Sequence, residues 1–254
     1  MILAVDVGNT NIVMGCLEDG KALFTARLAT DRGKTADEYA ILFSSILRMR
    51  EIASSEVEGS ILSSVVPALI NVLKEALEKS IDKTPLVVGP GIKTGLHIAI
   101  DNPAQLGSDL AVGAVAALAK YPAPIILFDM GTATTMSVID KDRRFIGGAI
   151  FPGVRISLEA LSSRTSLLPG ISLEAPKKSI GSNTIDCMQS GLIFGNAAML
   201  DGMIDRAEEE LGYPATIVAT GGLARSIIPY CKHEIIFDDD MLLDGLWYIY
   251  QKNK

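Results

Sequence analysis

Ile2-Leu3-Ala4-Val5-Asp6-Val7-Gly8-Asn9-Thr10-Asn11 and Ile125-Ile126-Leu127-Phe128-Asp129-Met130-Gly131-Thr132-Ala133-Thr134-Thr135 follow one plan. Each is a short apolar run, suited to a strand buried on both faces, that ends in Asp-x-Gly and a turn rich in Thr or Asn. What comes next also agrees. After the first, Ile12 to Leu17 is apolar again, Asp19-Gly20 marks a hairpin, and Ala22 to Leu28 returns as a strand. After the second come an apolar run to Ile139, a charged turn from Asp140 to Arg144, and a strand from Phe145 to Phe151. Superposing Asp6 on Asp129 also superposes Gly8 on Gly131. This is an internal repeat, weak in identity but matched in element order. It predicts an α/β chain of two related lobes, residues 1–118 and 119–254, with a cleft between them.

Outward from these segments the pattern is helix and strand in alternation. Thr35 and Glu38 form a capping-box pair ahead of Tyr39, Leu42, Phe43, Ile46 and Leu47 at helical spacing. Ser60 to Val66 reads as a buried strand, Leu69 to Leu77 as an amphipathic helix, and Pro85 to Val88 as a strand. Gly107-Ser108-Asp109 opens an Ala-rich helix that runs to about Lys120. The rest is mostly helical. Asn183-Thr184 precedes a helix to about Leu211; a strand at Ala215 to Ala219 leads into Thr220-Gly221-Gly222 and a short helix ended by Pro229. Asp238 to Asp240 precede a final helix carrying Leu242, Leu243, Leu246, Trp247 and Ile249.

At 254 residues and 48% apolar, the chain can bury a core and is not disordered. With 23 Lys+Arg against 30 Asp+Glu, the net charge of −7 argues against a sequence-independent grip on nucleic acid. Phosphate, if bound, falls to backbone amides and metal ions. The cysteines Cys16, Cys187 and Cys231 are odd in number and far apart, which predicts free thiols in a reducing compartment. With only His97 and His233, a three-histidine zinc site is impossible, and nothing supports a Ser-His-Asp triad. No basic segment precedes the apolar run at Ile2, and no run approaches the roughly 20 residues of a membrane helix. The expectation is a soluble cytoplasmic protein.

Gly8 and Gly131 each follow a strand inside a tight turn, where glycine lets main-chain N–H groups approach a phosphate and Thr and Asn add neutral donors. One such turn is ordinarily just a hairpin; two at equivalent points of a repeat, each after an aspartate, point to phosphate. A carboxylate ending a buried strand is costly unless paired or metal-bound. Asp6 and Asp129 are therefore candidate ligands, direct or through water, for Mg²⁺ or K⁺ rather than zinc. Gly221-Gly222 fits either an ordinary strand-to-helix turn or a nucleoside contact. Gly89-Pro90-Gly91-Ile92-Lys93-Thr94 fails the phosphate-loop pattern, because Ile92 stands where a glycine must precede Lys-Thr. Asp109, in a helix's first turn, is stabilised as a carboxylate by the dipole and could take a proton from an attacking alcohol. Aspartates at helix starts are common without chemistry, and on spacing alone that plain reading comes first.

Asp6 to Asn11, Asn102-Pro103 with Gly107-Ser108-Asp109, Asp129 to Thr135, and Thr220-Gly221-Gly222 occur in an order and at separations that resemble the type III pantothenate kinases. That family belongs with acetate and sugar kinases, heat-shock ATPases and actin, and the resemblance spans nearly the whole chain. It implies two duplicated ribonuclease-H-like lobes with a nucleotide cleft between them, and ATP-dependent phosphorylation of pantothenate, the first step of coenzyme A synthesis. It further implies that Asp6, Val7, Gly8, Asn9, Thr10, Asn11, Ile12 and Val13 form the first phosphate loop. Gly131 to Thr134 would form the second, with Thr132 on the phosphates and Gly221 and Gly222 beside the nucleotide. Asp129 would hold a monovalent cation, K⁺ or NH4⁺, and Asp6 a hydrated Mg²⁺. Asp109 would be the base. Ile100, Gly107, Ser108, Asp109, Leu110 and Thr184 would border pantothenate, and the protein would be a homodimer.

Two departures fall on the acceptor side. The family usually reads Gly-Ala-Asp-Arg where this chain has Gly107-Ser108-Asp109-Leu110, and often has Tyr where Ile100 stands. The first loses a fixed cationic fork that could pair a carboxylate, which Arg155 or Arg164 would have to replace; the second loses a hydroxyl and an aromatic wall. Two alternatives follow: a kinase of another small alcohol, or a nucleotide-binding regulator without turnover, as the family's Bvg accessory factors have been described. Retention of Asp109 speaks against the latter.

Overall fold

Every residue of Ile2–Val7 is buried, including Asp6, as expected for a strand flanked on both sides. In the computed structural model, which describes residues 1–254, this strand is β1. It is followed by β2 (Asn11–Glu18), β3 (Lys21–Ala29), α1 (Ala36–Met49), β4 (Gly59–Ser64), α2 (Pro67–Ile81) and β5 (Leu86–Val87). Then come β6 (His97–Ile98), α3 (Ser108–Lys120), β7 (Ile125–Met130), β8 (Ala133–Ile139), β9 (Arg144–Pro152) and α4 (Val154–Arg164). The last are α5 (Thr184–Leu211), β10 (Thr216–Thr220), α6 (Ala224–Ile227), β11 (Ile236–Phe237) and α7 (Met241–Asn253).

The strands make two mixed sheets, ordered β3-β2-β1-β4-β5 and β11-β10-β7-β8-β9-β6. Read from β9 to β11, the second repeats the first. β1 pairs antiparallel with β2 and parallel with β4; β7 does the same with β8 and β10. The predicted duplication is therefore present strand for strand, with β6 added at one edge through its parallel pairing to β9.

Local signals explain most boundaries. Thr35 Oγ1 accepts from the Glu38 N–H while a Glu38 oxygen accepts from the Thr35 N–H at 2.8 Å, the capping box predicted for α1. Asp19 and Gly20 both have positive φ, as a two-residue hairpin turn requires. α5 starts where the Asn183 side chain accepts from the Asp186 N–H at 3.0 Å and stops at Gly212 in the left-handed conformation. The strand expected to reach Val66 stops at Ser64, because Pro67 begins α2, which extends to Ile81 rather than Leu77. α4 was hidden in a stretch of ordinary polarity, and residues 165–183 after it carry no regular structure.

The chain forms two units: Met1–Leu96, Asp101–Ala119 and Asp240–Lys254 make the first, and His97–Ile100 with Lys120–Asp239 the second. One cut at 118/119 misses both exchanges. The final helix, expected in the second lobe, belongs to the first, because its apolar stripe of Leu243, Leu246, Ile249 and Tyr250 covers Ile2, Ala4, Leu17 and Ile61. α3 adds Val112 and Val115 to that layer, and the opposite face of the sheet packs α1 and α2 through Phe43, Leu47, Leu69 and Leu73. In the second unit Phe128, Met130 and Met136 meet Leu192, Ala197 and Leu200 of α5. No helix is long and apolar enough to cross a membrane.

Candidate active site

In the first unit the decisive placements follow from strand register. Asp6 lies opposite Ser63 of β4 in parallel pairing, so both side chains project from one face of the sheet, close to its C-terminal end. Ser63 is fully buried, and its hydroxyl donates to Ser108 Oγ at 3.2 Å, while Ser108 donates to the Ser64 carbonyl at 3.1 Å. The first turn of α3 is thus fastened to the strand beside the Asp6 strand. Asp109 comes next in sequence, half-buried, with Oδ1 accepting from the Leu110 N–H at 2.8 Å. A Cβ on Gly107 would come within 2.6 Å of that oxygen, so glycine is what lets the carboxylate fold back there. Burial raises the Asp109 carboxyl above the ordinary aspartate value, partly offset by the Leu110 N–H and the residue's own amide.

The turn between β1 and β2 is closed by the Gly8 N–H donating to the Asn11 carbonyl at 2.9 Å. Asn9, Thr10 and Asn11 are exposed. Val7 and Ile12 are core residues, so any contact they make with a nucleotide falls to their main chain, and Val13 is half-buried beside the α7 layer. Asp6, the 8–11 turn, Gly107, Ser108 and Asp109 are brought to one end of this unit; Leu110 is half-buried in the same helical turn.

The second unit repeats the arrangement. Asp129 lies opposite Thr220 of β10 in parallel and opposite Thr135 of β8, a hydroxyl occupying the place that Ser63 holds beside Asp6. Gly131 and Thr132 are exposed at the turn. Gly221 has φ +95 and its backbone crosses the end of β7 so closely that a Cβ would stand 2.7 Å from Met130 main-chain atoms. That approach sets the Gly221-Gly222 turn against the Asp129-Gly131 segment. Thr134 does not join them: it faces the apolar interior beside Met130, fully buried, with Oγ1 unpartnered. Ile100 is half-buried after β6, Thr184 is exposed at the start of α5, and Arg155 and Arg164 are exposed on α4.

In the 89–94 segment the Lys93 main chain exchanges hydrogen bonds with the Asn253 side chain at 3.0 and 2.9 Å. Cys16 and Cys231 are free thiols, pushed up by burial to about 11 and about 12, and Cys187 is also free. No group of three or more His, Cys, Asp or Glu side chains gathers as a metal cage.

With this geometry in view, the type III pantothenate kinase profile matches residues 2–206. The chain belongs to the type III pantothenate kinase family. A type III pantothenate kinase of Exiguobacterium sibiricum is 46% identical over 254 residues, covering 100% of both chains. One of Bacillus cytotoxicus is 42% identical over 253 residues, covering 100% of this chain and 97% of its own. Among solved structures, a Baf family protein of Campylobacter jejuni superposes with TM-score 0.61 at 19% identity, over 99% of this chain and 98% of that one. The (R)-2-hydroxyglutaryl-CoA dehydratase component A of Acidaminococcus fermentans gives 0.59 at 14% identity, over 100% and 99%. These two establish likeness of fold, in keeping with the duplicated sheets described above. Sequence reasoning named the aspartates, the glycines and the Thr220-Gly221-Gly222 motif of this pantothenate kinase family member, but not Ser63; a hydroxyl four residues before a helix-opening proline gives no signal until register is known.

Proposed function

We propose that this chain transfers the γ-phosphoryl group of ATP to the primary hydroxyl of pantothenate, giving 4'-phosphopantothenate at the entry to coenzyme A synthesis. The observation that carries the reading is Asp109, half-buried and fastened through Ser108 and Ser63 to the strand beside Asp6. In the reaction the alcohol proton passes to the Asp109 carboxylate, the alcohol oxygen bonds to phosphorus, and the bond to the ADP oxygen breaks. The Leu110 N–H orients the carboxylate, and burial, which raises its pKa above the ordinary aspartate value, makes it a stronger base than a solvated aspartate. The main-chain N–H groups of the 8–11 turn in the first unit, and those of the 131–132 turn with Thr132 and the Gly221-Gly222 turn in the second, are each candidate nucleotide contacts, so positioning and charge stabilisation would supply most of the rate.

The donor sets fit hard cations. Asp6 and Asp129 each offer one carboxylate beside a hydroxyl-bearing residue of the neighbouring strand, which suits oxygen-ligated ions that keep water and phosphate in their shells. Asp6 would hold Mg²⁺ and Asp129 would hold K⁺ or NH4⁺, neutralising charge on the phosphates when bound. Ile100, Gly107, Leu110 and Thr184 border the acceptor. The working form is a cytoplasmic homodimer without nucleic-acid or membrane partners.

Leu110 and Ile100 favour one second reading, in which the same chemistry serves another small alcohol. The deciding experiment follows ADP release from ATP, Mg²⁺ and K⁺ with and without pantothenate. Pantothenate-dependent ADP that disappears in Asp109→Asn supports the proposal. Turnover only with a different alcohol supports the second reading, and ATP binding without turnover on any alcohol would leave a nucleotide-binding regulator.

A further inference from the structure

The turn proposed to receive the ATP phosphates contains no cation of its own, and the chain carries a net charge of −7. A neighbouring loop supplies one. Thr30 Oγ1 donates to the Gly8 carbonyl at 2.7 Å, and the Thr30 N–H donates to the Thr10 carbonyl at 3.0 Å, clasping the start of the 30–34 loop to the turn. The loop is anchored from below by Tyr39, a fully buried side chain whose hydroxyl donates to the Asp31 carbonyl at 2.8 Å and accepts from the Asp31 N–H at 3.0 Å. Asp31 folds its carboxylate onto the Gly33 N–H and onto Lys34, both at 2.9 Å, so the Lys34 charge is already compensated. Arg32 differs. It is exposed, and Nη2 donates to the neutral Asn9 side chain at 3.2 Å.

That contact has a chemical consequence. A guanidinium only donates, so the Asn9 atom against it is the amide oxygen, and the Asn9 NH₂ keeps its hydrogens for a different acceptor. Arg32 and the Asn9 amide together present a positive fork and neutral donors at the rim of the 8–11 turn. We infer that Arg32 is a ligand of the ATP phosphate tail, held by the Thr30 and Tyr39 contacts and orienting Asn9 for the same task. The inference rests on reading the 8–11 turn as the phosphate turn and adds to it the charge that the turn lacks.

The test compares full-length wild type, Arg32→Ala and Arg32→Lys by calorimetric titration with MgATP and by steady-state kinetics. A charge-assisted hydrogen bond at an exposed site predicts a loss of about tenfold in ATP affinity for Arg32→Ala, with KM for pantothenate and Tm unchanged. Arg32→Lys, which keeps the charge but not the fork, falls between. Raising NaCl from about 0.05 to about 0.5 M weakens ATP binding more in wild type than in Arg32→Ala. Arg32→Ala binding ATP as tightly as wild type overturns the assignment, as does a fall in Tm with both KM values rising together, which would mark a purely structural loop. Wild type that binds no ATP at all would instead bring down the phosphate-turn reading, and this inference with it.

Discussion

Asp109→Asn separates the chemistry of the first unit from its stability, because the two respond to pH in opposite directions. Burial holds the Asp109 carboxyl above its ordinary value. A base works only when ionised, so kcat/KM for pantothenate falls on acidification, with a limb at higher pH than an ordinary aspartate would give. For stability, a carboxyl with a folded-state pKa above its unfolded value binds its proton more readily in the folded chain. Its contribution is fully present below the unfolded pKa and is lost as pH rises through the folded one. Near neutrality the wild type therefore carries the cost of a buried charge that asparagine does not. Asparagine can still accept from the Leu110 N–H, which preserves the local turn. The expected result at pH 7 is a Tm equal to or above wild type, with kcat reduced about 10²–10⁴-fold, the range of a general base, or about 3–5 kcal/mol in the barrier. Steady-state ADP release from about pH 5 to 9 and thermal melts over the same range measure both. Turnover within tenfold of wild type, or an acid limb no higher than that of an ordinary aspartate, would refute the assignment; so would a Tm several degrees lower.

Ser63→Ala removes one of the two hydrogen bonds that tie Ser108 to β4, leaving the one to the Ser64 carbonyl, and should lower kcat several-fold while leaving KM for ATP unchanged, at about 1 kcal/mol of stability, checked by kinetics and melts. Ser60→Ala, in contrast, removes a buried hydroxyl without a partner; gaining about 1 kcal/mol, it should raise Tm by about 2–4 °C. Gly221→Ala puts a side chain against the Met130 backbone at positive φ, and should cost more than about 1 kcal/mol in a denaturant melt and weaken ATP binding with it. Leu110→Arg installs a cationic fork in the first turn of α3, and should lower KM for pantothenate several-fold without changing KM for ATP.

Much of the fold was legible because its punctuation is local. Asp-x-Gly after an apolar run, the Asp19-Gly20 hairpin and the Thr35–Glu38 box each act within a few residues, so a linear reading finds them. β6, β11 and α7's destination were not legible, since a two-residue strand has no periodicity and an apolar stripe does not name the face it covers. The candidate site divides the same way. Asp6, Asp129 and the glycines stand out by type and position in the repeat, whereas Asp109 stands out only through the family resemblance. Ser63 and Arg32 acquire meaning only through pairing across strands or contact across 23 residues, from Arg32 back to Asn9. Thr134, in the middle of the most conspicuous threonine run, turns inward, because side chains alternate along a strand and its neighbour Thr135 shares the face of Asp129.

The return of α7 to the first sheet inverts the order of synthesis and folding. On the ribosome, domains ordinarily mature from the amino end onward. Here Ile2, Ala4 and Ile61 are translated early yet gain their cover of Leu243, Leu246 and Ile249 only when the last helix emerges. The unit begun first is finished last, and this face of its sheet stays without α7's cover until the final helix is in place.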